Sequence, residues 1–265
     1  MSRLRARCPF CRTLTAVAVG PDYQCHSCGR EFLAGLVRVP RAWGEGGETM
    51  AGAAHLPLPL PETAVVAADS LKEQTLGVAA DLPERPLVLG GCCCAHVGAV
   101  EGLSARHDRL AVVWFDAHGD LNTPESSPSG NPWGMPLRML IDSGAVEAED
   151  VALVGARSLD PLERRFIDAS GLHAGPDAIE RATGDCDCVY VAVDLDVLAP
   201  GEALPFMPEP GGLSLTELEG LLRGLAERRT VVGAGLSGLT DDPRNDEPAR
   251  RVCAALGLTP ESNPV

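Results

Sequence analysis

Short runs of apolar, β-favouring residues recur along most of the chain, and all but the first are followed by a segment with helical spacing of its apolar positions. The runs at 35–39, 63–67, 86–90, 110–115, 151–155, 171–174, 188–194 and 230–235 predict strands. Segments at 70–81, 96–107, 134–142, 160–169, 176–182, 214–229 and 245–257 predict helices. Strands that are apolar at nearly every position, separated by helices, require cover on both faces, which is the signature of a parallel sheet between helical layers. A Gly- and Pro-rich stretch from Pro40 to Pro61 interrupts the pattern and reads as loop.

Two of the strands run into acidic motifs. Val113-Trp114-Phe115 continues as Asp116-Ala117-His118-Gly119-Asp120, and Val191-Ala192-Val193 continues as Asp194-Leu195-Asp196. In an extended chain the side-chain period is two, so Asp116, His118 and Asp120 would share one side, as would Asp194 and Asp196. Open α/β sheets bind ligands beyond the carboxyl ends of their strands, which is where both motifs fall. Four carboxylates gathered there around one imidazole repel one another unless cations fill the cluster. Mixed oxygen and nitrogen donors suit Mn²⁺ or another divalent metal, so a two-metal centre is expected. The competing reading is a solvated acidic surface.

Composition narrows the picture. The 265 residues suffice for one large α/β domain with a small appendage. Apolar runs are too short for a membrane span, and the N-terminus has no apolar core of a signal peptide. Ten cysteines, falling as two CxxC pairs, a CCC run, a CxC and a singleton, suit a reducing cytosol, so a cytoplasmic location is expected. The net charge of −15 argues against a nucleic-acid partner for the whole chain, although residues 1–41 hold seven Arg against Asp22 and Glu31. That head contains Cys8-Pro9-Phe10-Cys11 and Cys25-His26-Ser27-Cys28, two knuckles whose spacing predicts a structural Zn²⁺ held by four thiolates. The expected division is therefore a zinc ribbon over 1–34 and an α/β domain over 35–265. The ribbon reads as a stabilising appendage more readily than as a recognition module, since a CxxC pair fixes the metal and says little about what is bound.

Asp116 to Asn122, continuing to Ser129-Gly130-Asn131, resembles the metal and substrate loop of the arginase/agmatinase (ureohydrolase) family. Asp194-Leu195-Asp196, with Pro208-Glu209-Pro210-Gly211-Gly212-Leu213-Ser214 after it, and Leu89-Gly90-Gly91 before a helix carrying Gly98, extend the likeness in order over residues 35–258. The resemblance implies a three-layer arginase-like α/β fold with a mostly parallel sheet of about eight strands. It implies that Asp116 and Asp194 bridge two Mn²⁺ ions, that His118 and Asp196 complete one site, and that Asp120 binds the other. A hydroxide between the metals would attack a guanidinium or amidine carbon, with Asp120 passing its proton to the leaving amine; Asp120, Asp116 and His118 would be the catalytic set. Asn122, Ser129 and Asn131 match residues that bind the α-carboxylate of arginine, and Asp160 matches an aspartate that contacts its α-amino group. Turn and capping roles compete for these polar residues. A small guanidino or amidino substrate and a homo-oligomer, a trimer or hexamer, are further implications.

Three departures stand out. Cys93 occupies the place of the family's sixth ligand, a histidine, so either Cys93 ligates as a thiolate or His96, one helical turn later, reaches in. A thiolate shifts preference towards Zn²⁺ or Fe²⁺, and loss of that site would leave a single metal. Trp133 stands where the family has a proton-shuttling histidine, and Gly238 stands where it has a glutamate that pairs with the guanidinium; Asp241, Asp242 and Glu209 are the candidate substitutes. Cys92, Cys93 or Cys94 could instead be a nucleophile or redox sensor, Cys92 and Cys94 reading better as buried fillers. Two rival functions follow: a non-catalytic metal-binding scaffold or regulatory protein, and a single-zinc amide deacetylase-like hydrolase.

Overall fold

A computed structural model of the protein describes residues 4–175 and 177–260. Residues 1–3 of the predicted ribbon, Pro176 at the start of the predicted 176–182 helix, and residues 261–265 lie outside the described residues. The head forms strands β1 (Arg5–Ala6), β2 (Ala16–Val19), β3 (Asp22–Cys25) and β4 (Glu31–Phe32), paired antiparallel in that order. Its small core is Ala6, Cys8, Ala16, Tyr23, Cys25 and Phe32.

The rest alternates strands and helices: β5 (Gly35–Val39), α1 (Glu48–Ala51), β6 (Glu62–Val65), α2 (Leu71–Asp81), β7 (Pro86–Gly90), α3 (Ala95–Ser104), β8 (Leu110–Phe115), α4 (Pro136–Asp142), β9 (Val151–Val154), α5 (Pro161–Ser170), β10 (His173–Ala174), α6 (Ala178–Thr183), β11 (Cys188–Asp194), α7 (Leu215–Arg228), β12 (Thr230–Ser237) and α8 (Asp246–Ala255). Strands β5 to β12 form one eight-stranded parallel sheet in the order β10-β9-β8-β11-β12-β7-β5-β6. Period-two alternation sorts its side chains into two cores: Val113, Phe115, Val191 and Val193 pack on one face, and Val112, Trp114, Tyr190 and Ala192 on the other. Both faces are covered by helices, as the uniformly apolar strands require.

Local signals explain the helix starts. Ser70 accepts from the Glu73 amide, and capping boxes open α5 (Asp160 with Glu163) and α7 (Ser214 with Glu217). The Pro40–Pro61 stretch is not wholly loop. It contains α1 and a 3₁₀ turn, Gly52–His55, which form because Met50, Ala53 and Ala54 bury against the body. Among the described residues, no helix is long and apolar enough to cross a membrane.

Candidate metal centre and pocket

Strands β8, β11, β12 and β7 are neighbours, and their carboxyl ends deliver polar side chains to one place. Asp116 follows the Phe115–Val193 pair of β8 and β11, Asp194 pairs in register with Ser237 of β12, and β7 leads through Gly90 to Cys93.

The acidic motifs converge by turning rather than by staying extended. β8 stops at Phe115; the His118 amide then donates to Asp116 Oδ1 at 2.7 Å, and Asp120 adopts φ +53°, in the left-handed region. Asp194 closes β11 and accepts from the Asp196 amide at 2.9 Å, starting the 3₁₀ turn Leu195–Val197. The period of two thus ends with each strand, because these carboxylates satisfy the amides of their own turns. Cross-links then join the motifs. The Ala117 amide donates to Asp196 Oδ1 at 2.9 Å, and His118 Nδ1 lies 2.9 Å from Asp196 Oδ2 and 3.4 Å from Asp116 Oδ1. Cys93 Sγ is 3.0 Å from Asp194 Oδ2 and 3.1 Å from Ser237 Oγ.

Asp116, Asp120, Asp194 and Asp196 are all buried. Burial raises the pKa of each. Asp194 is pushed up to about 7, with the charge of Asp196 adding to burial, and Asp196 to about 6, with Asp116 adding. Asp120 is driven well above the carboxylate range by burial and the charges of Asp116 and Asp194. Burial opposes charge on His118, yet hydrogen bonds to Asp116 and Asp196 carry its imidazole up to about 12. One imidazolium cannot balance four carboxylates at low dielectric. Asp120 Oδ2 is buried and has no hydrogen-bond partner, an arrangement that costs on the order of 1–3 kcal/mol or more unless a cation takes the oxygen. The donors fit such ions: Cys93, Asp116 and Asp120 offer ligand atoms within 4.8 Å of one another, and so do Asp116, His118 and Asp196.

This cluster floors a cavity of about 330 Å³. Its walls include Met50, Met207, and Trp133 packed edge-on against Phe206 at 5.7 Å. Seven carboxyl side chains line it (Asp116, Asp120, Asp160, Glu163, Asp194, Asp196 and Glu209), and among the described residues no lysine or arginine does. The field inside favours cations.

Of the two candidates for the sixth ligand, Cys93 stands at the donor cluster and His96 does not. Buried in α3, His96 hydrogen-bonds Tyr190 Oη at 2.9 Å through Nδ1 and Ser237 Oγ at 3.0 Å through Nε2, so Ser237 separates it from the carboxylates. Burial lowers its pKa to about 3. Asn122 donates to Asp160 Oδ2 at 2.9 Å, and both line the cavity while Asp160 also caps α5. Ser129 lines the cavity, whereas the Asn131 side chain turns away to accept from the Glu45 amide at 2.9 Å. Cys92 and Cys94 are buried in a cluster with Met50, and Cys92 also lines the cavity and accepts from the Trp43 amide at 3.4 Å. Asp242 pairs with Arg244 at 2.9 Å and Asp241 packs against Gly52, so neither reaches the cavity. Glu209 does, with its carboxylate 3.4 Å from His118 Nε2.

Two supports escaped the motif reading. Glu163 accepts from the Leu121 amide at 3.0 Å and the Asp160 amide at 2.9 Å, bracing the turn that carries Asp120; the spacing Asp160-Pro161-Leu162-Glu163 is a capping-box signature that could have revealed it. Arg157 donates to the carbonyls of Asp196, Glu209 and Pro210, tying the two loops that hold Asp196 and Glu209. Nothing local to the sequence foretells that contact.

A parallel α/β sheet with a carboxylate, imidazole and thiol cluster at its strand ends is the arrangement that the ureohydrolase resemblance implied. A family model described as "Arginase family" matches residues 49–256. The chain belongs to the arginase family, with β1 to β5 outside the matched region. Arginase from Bacillus subtilis (strain 168) is 39% identical over 159 residues, covering 50% of this chain and 53% of that protein; arginase from Bacillus caldovelox is 34% identical over 201 residues, covering 65% and 66%. The aligned region thus spans about half to two thirds of those relatives. Among solved structures, arginase from Bacillus subtilis superposes with a TM-score of 0.72 at 27% identity, covering 84% of this chain and 97% of that one.

Proposed function

We propose that this protein is a divalent-metal-dependent hydrolase of guanidino or amidino C–N bonds. The observation that carries the reading is the buried, unpartnered Asp120 Oδ2 amid four carboxylates that a single imidazole cannot neutralise. Cys93, Asp116, Asp120 and Asp194 would hold one cation; Asp116, His118, Asp194 and Asp196 would hold a second. When bound, such a pair makes water a nucleophile near neutral pH and neutralises charge developing in the transition state.

The remaining work falls to side chains. Glu209, at the cavity wall beside His118, is the acid placed to orient a cationic guanidinium, a task Gly238 cannot perform. Asn122 and Asp160, locked together by their hydrogen bond, present an amide and a carboxylate to the far end of the substrate. Trp133 and Phe206 exclude water above the scissile bond. Asp120 accepts the proton released by the attacking water and returns it to the leaving nitrogen, a positioned transfer worth on the order of 10²–10⁴ in rate.

The test is urea or amine release from arginine, agmatine, guanidinobutyrate and amidino analogues by protein loaded with Mn²⁺ or Zn²⁺. Turnover is expected, falling at least a hundredfold in Asp120→Asn. No turnover with any of them while the donor cluster holds two metal equivalents would overturn the reading and leave a metal-binding scaffold; one equivalent with amide hydrolysis would favour the deacetylase-like reaction.

A further inference from the structure

The four head cysteines do not line the cavity of the acidic cluster and take no part in its chemistry. We infer that they hold a zinc ion whose role is to clasp the open edge of the main sheet. All four Sγ atoms fall within 4.8 Å of one another, with Cys8 to Cys28 at 3.7 Å and Cys11 to Cys25 at 3.5 Å. A tetrahedron with Zn–S bonds of about 2.3 Å has edges of about 3.8 Å, whereas a disulfide needs about 2.05 Å. The sulfurs are therefore spaced for a shared ion rather than for each other. The two knuckles are also built alike: after each CxxC the chain enters the left-handed region, at Arg12 (φ +62°) and Gly29 (φ +72°), and its amide donates back to the first cysteine's carbonyl at 3.0 and 2.7 Å. A left-handed arginine is costly by itself, and a metal that fixes the two thiolates before it offsets that cost.

What the ion would hold follows from the backbone. β6 is one of the two edge strands of the eight, β10 being the other, and its free side would expose unpaired amides and carbonyls. Arg7, the residue before Cys8, exchanges both backbone hydrogen bonds with Glu62 of β6, at 2.8 and 3.0 Å. Glu62 in turn pairs with Arg38 of β5 at 2.8 Å, and Arg38 Nη1 donates to the carbonyls of Ala54 at 2.6 Å and Leu56 at 3.1 Å. That segment directly follows α1, whose Met50 lines the cavity. On the other side of the head, Arg85 reaches the Leu33 carbonyl at 2.6 Å and Asp22 at 3.1 Å. The head's own core is six residues and cannot stabilise about thirty residues unaided. Metal, ribbon, sheet edge and one wall of the pocket form a single chain of contacts.

Zinc content of the full-length protein, measured before and after the paired change Cys25→Ser/Cys28→Ser, tests the site. One equivalent should be lost with that pair and retained in Asp116→Asn/Asp194→Asn. Zinc unchanged by the serine pair would overturn the assignment. Because the serine variant could misfold, cobalt exchange of the wild-type chain supplies a second reading: thiolate-to-cobalt absorption of a four-sulfur tetrahedral site, persisting in Cys93→Ser, is expected, and its absence would refute the site. Amide hydrogen exchange, compared between zinc-loaded and zinc-stripped full chain, tests the clasp. Exchange at Glu62 and across residues 48–56 should rise at least tenfold on stripping; equal rates would show that the ion does not hold the edge.

Discussion

Replacing Gly238 with alanine probes the geometry of the metal cluster from its tightest contact. Gly238 has φ +73°, and a Cβ built there would collide with both carboxylate oxygens of Asp194. Two costs follow and can be separated. The left-handed backbone costs an alanine about 1 kcal/mol. Displacing a buried carboxylate adds an overpacking cost of about 1–3 kcal/mol, for a total of about 2–4 kcal/mol. Gly130, at φ +69° with nothing within 4 Å of where a Cβ would stand, carries the backbone cost alone and serves as the control. At about 2–4 °C per kcal/mol for a chain of this size, Gly238→Ala should lower Tm by roughly 4–15 °C and Gly130→Ala by only a few degrees. Moving Asp194 should also weaken divalent-cation binding about 10–100-fold, as read by calorimetric titration, with Gly130→Ala unaffected. Equal Tm values and equal metal affinities for the two variants would refute the claim that Gly238 exists to make room for Asp194. The same contact leaves no room for a longer side chain at this position, which supports placing the proposed guanidinium partner at Glu209 instead.

Two further outcomes are expected. In chelator, the raised pKa values of Asp194 (about 7) and Asp196 (about 6), against about 3.9 in the unfolded chain, mean that the folded state binds more protons between those limits. Their contribution to stability is complete below pH about 4 and is lost as pH rises through about 7, so metal-free Tm should fall over that window and divalent cation should reverse the slope; a flat metal-free profile from pH 4 to 8 would contradict the buried-cluster account. Cys93 stands 3.0 Å from Asp194 as a soft donor in an oxygen-rich site. Cys93→His should shift the Mn²⁺-to-Zn²⁺ affinity ratio towards Mn²⁺ by at least about tenfold in a competition titration, and an unchanged ratio would exclude Cys93 from the coordination sphere.

The strand and helix order was legible along the chain because each element carries its own signal: continuous apolar runs for β8 and β11, and helical spacing of apolar positions for α5 and α7. The metal-type residues were legible for the same reason, since Asp116, His118, Asp120, Asp194 and Asp196 sit where those runs stop. The helix inside the Pro40–Pro61 stretch was not, because its Gly- and Pro-rich flanks mask four residues whose helicity depends on burying Met50.

Period, composition and spacing thus determined by themselves that the chain is a parallel α/β protein with an acidic, metal-suited set of side chains and a four-cysteine head; the arginase type came from the resemblance of its motifs to that family. They act over a few residues, through backbone propensity and local hydrogen bonding. Only the tertiary structure decided how the set assembles: that the motifs turn instead of extending, that Cys93 meets Asp194 across 101 residues of chain while His96 is turned aside to Tyr190 and Ser237, and that Glu163 braces the Asp120 turn. Those outcomes depend on strand order and on which buried polar groups find partners, and both are properties of packing between segments far apart in sequence.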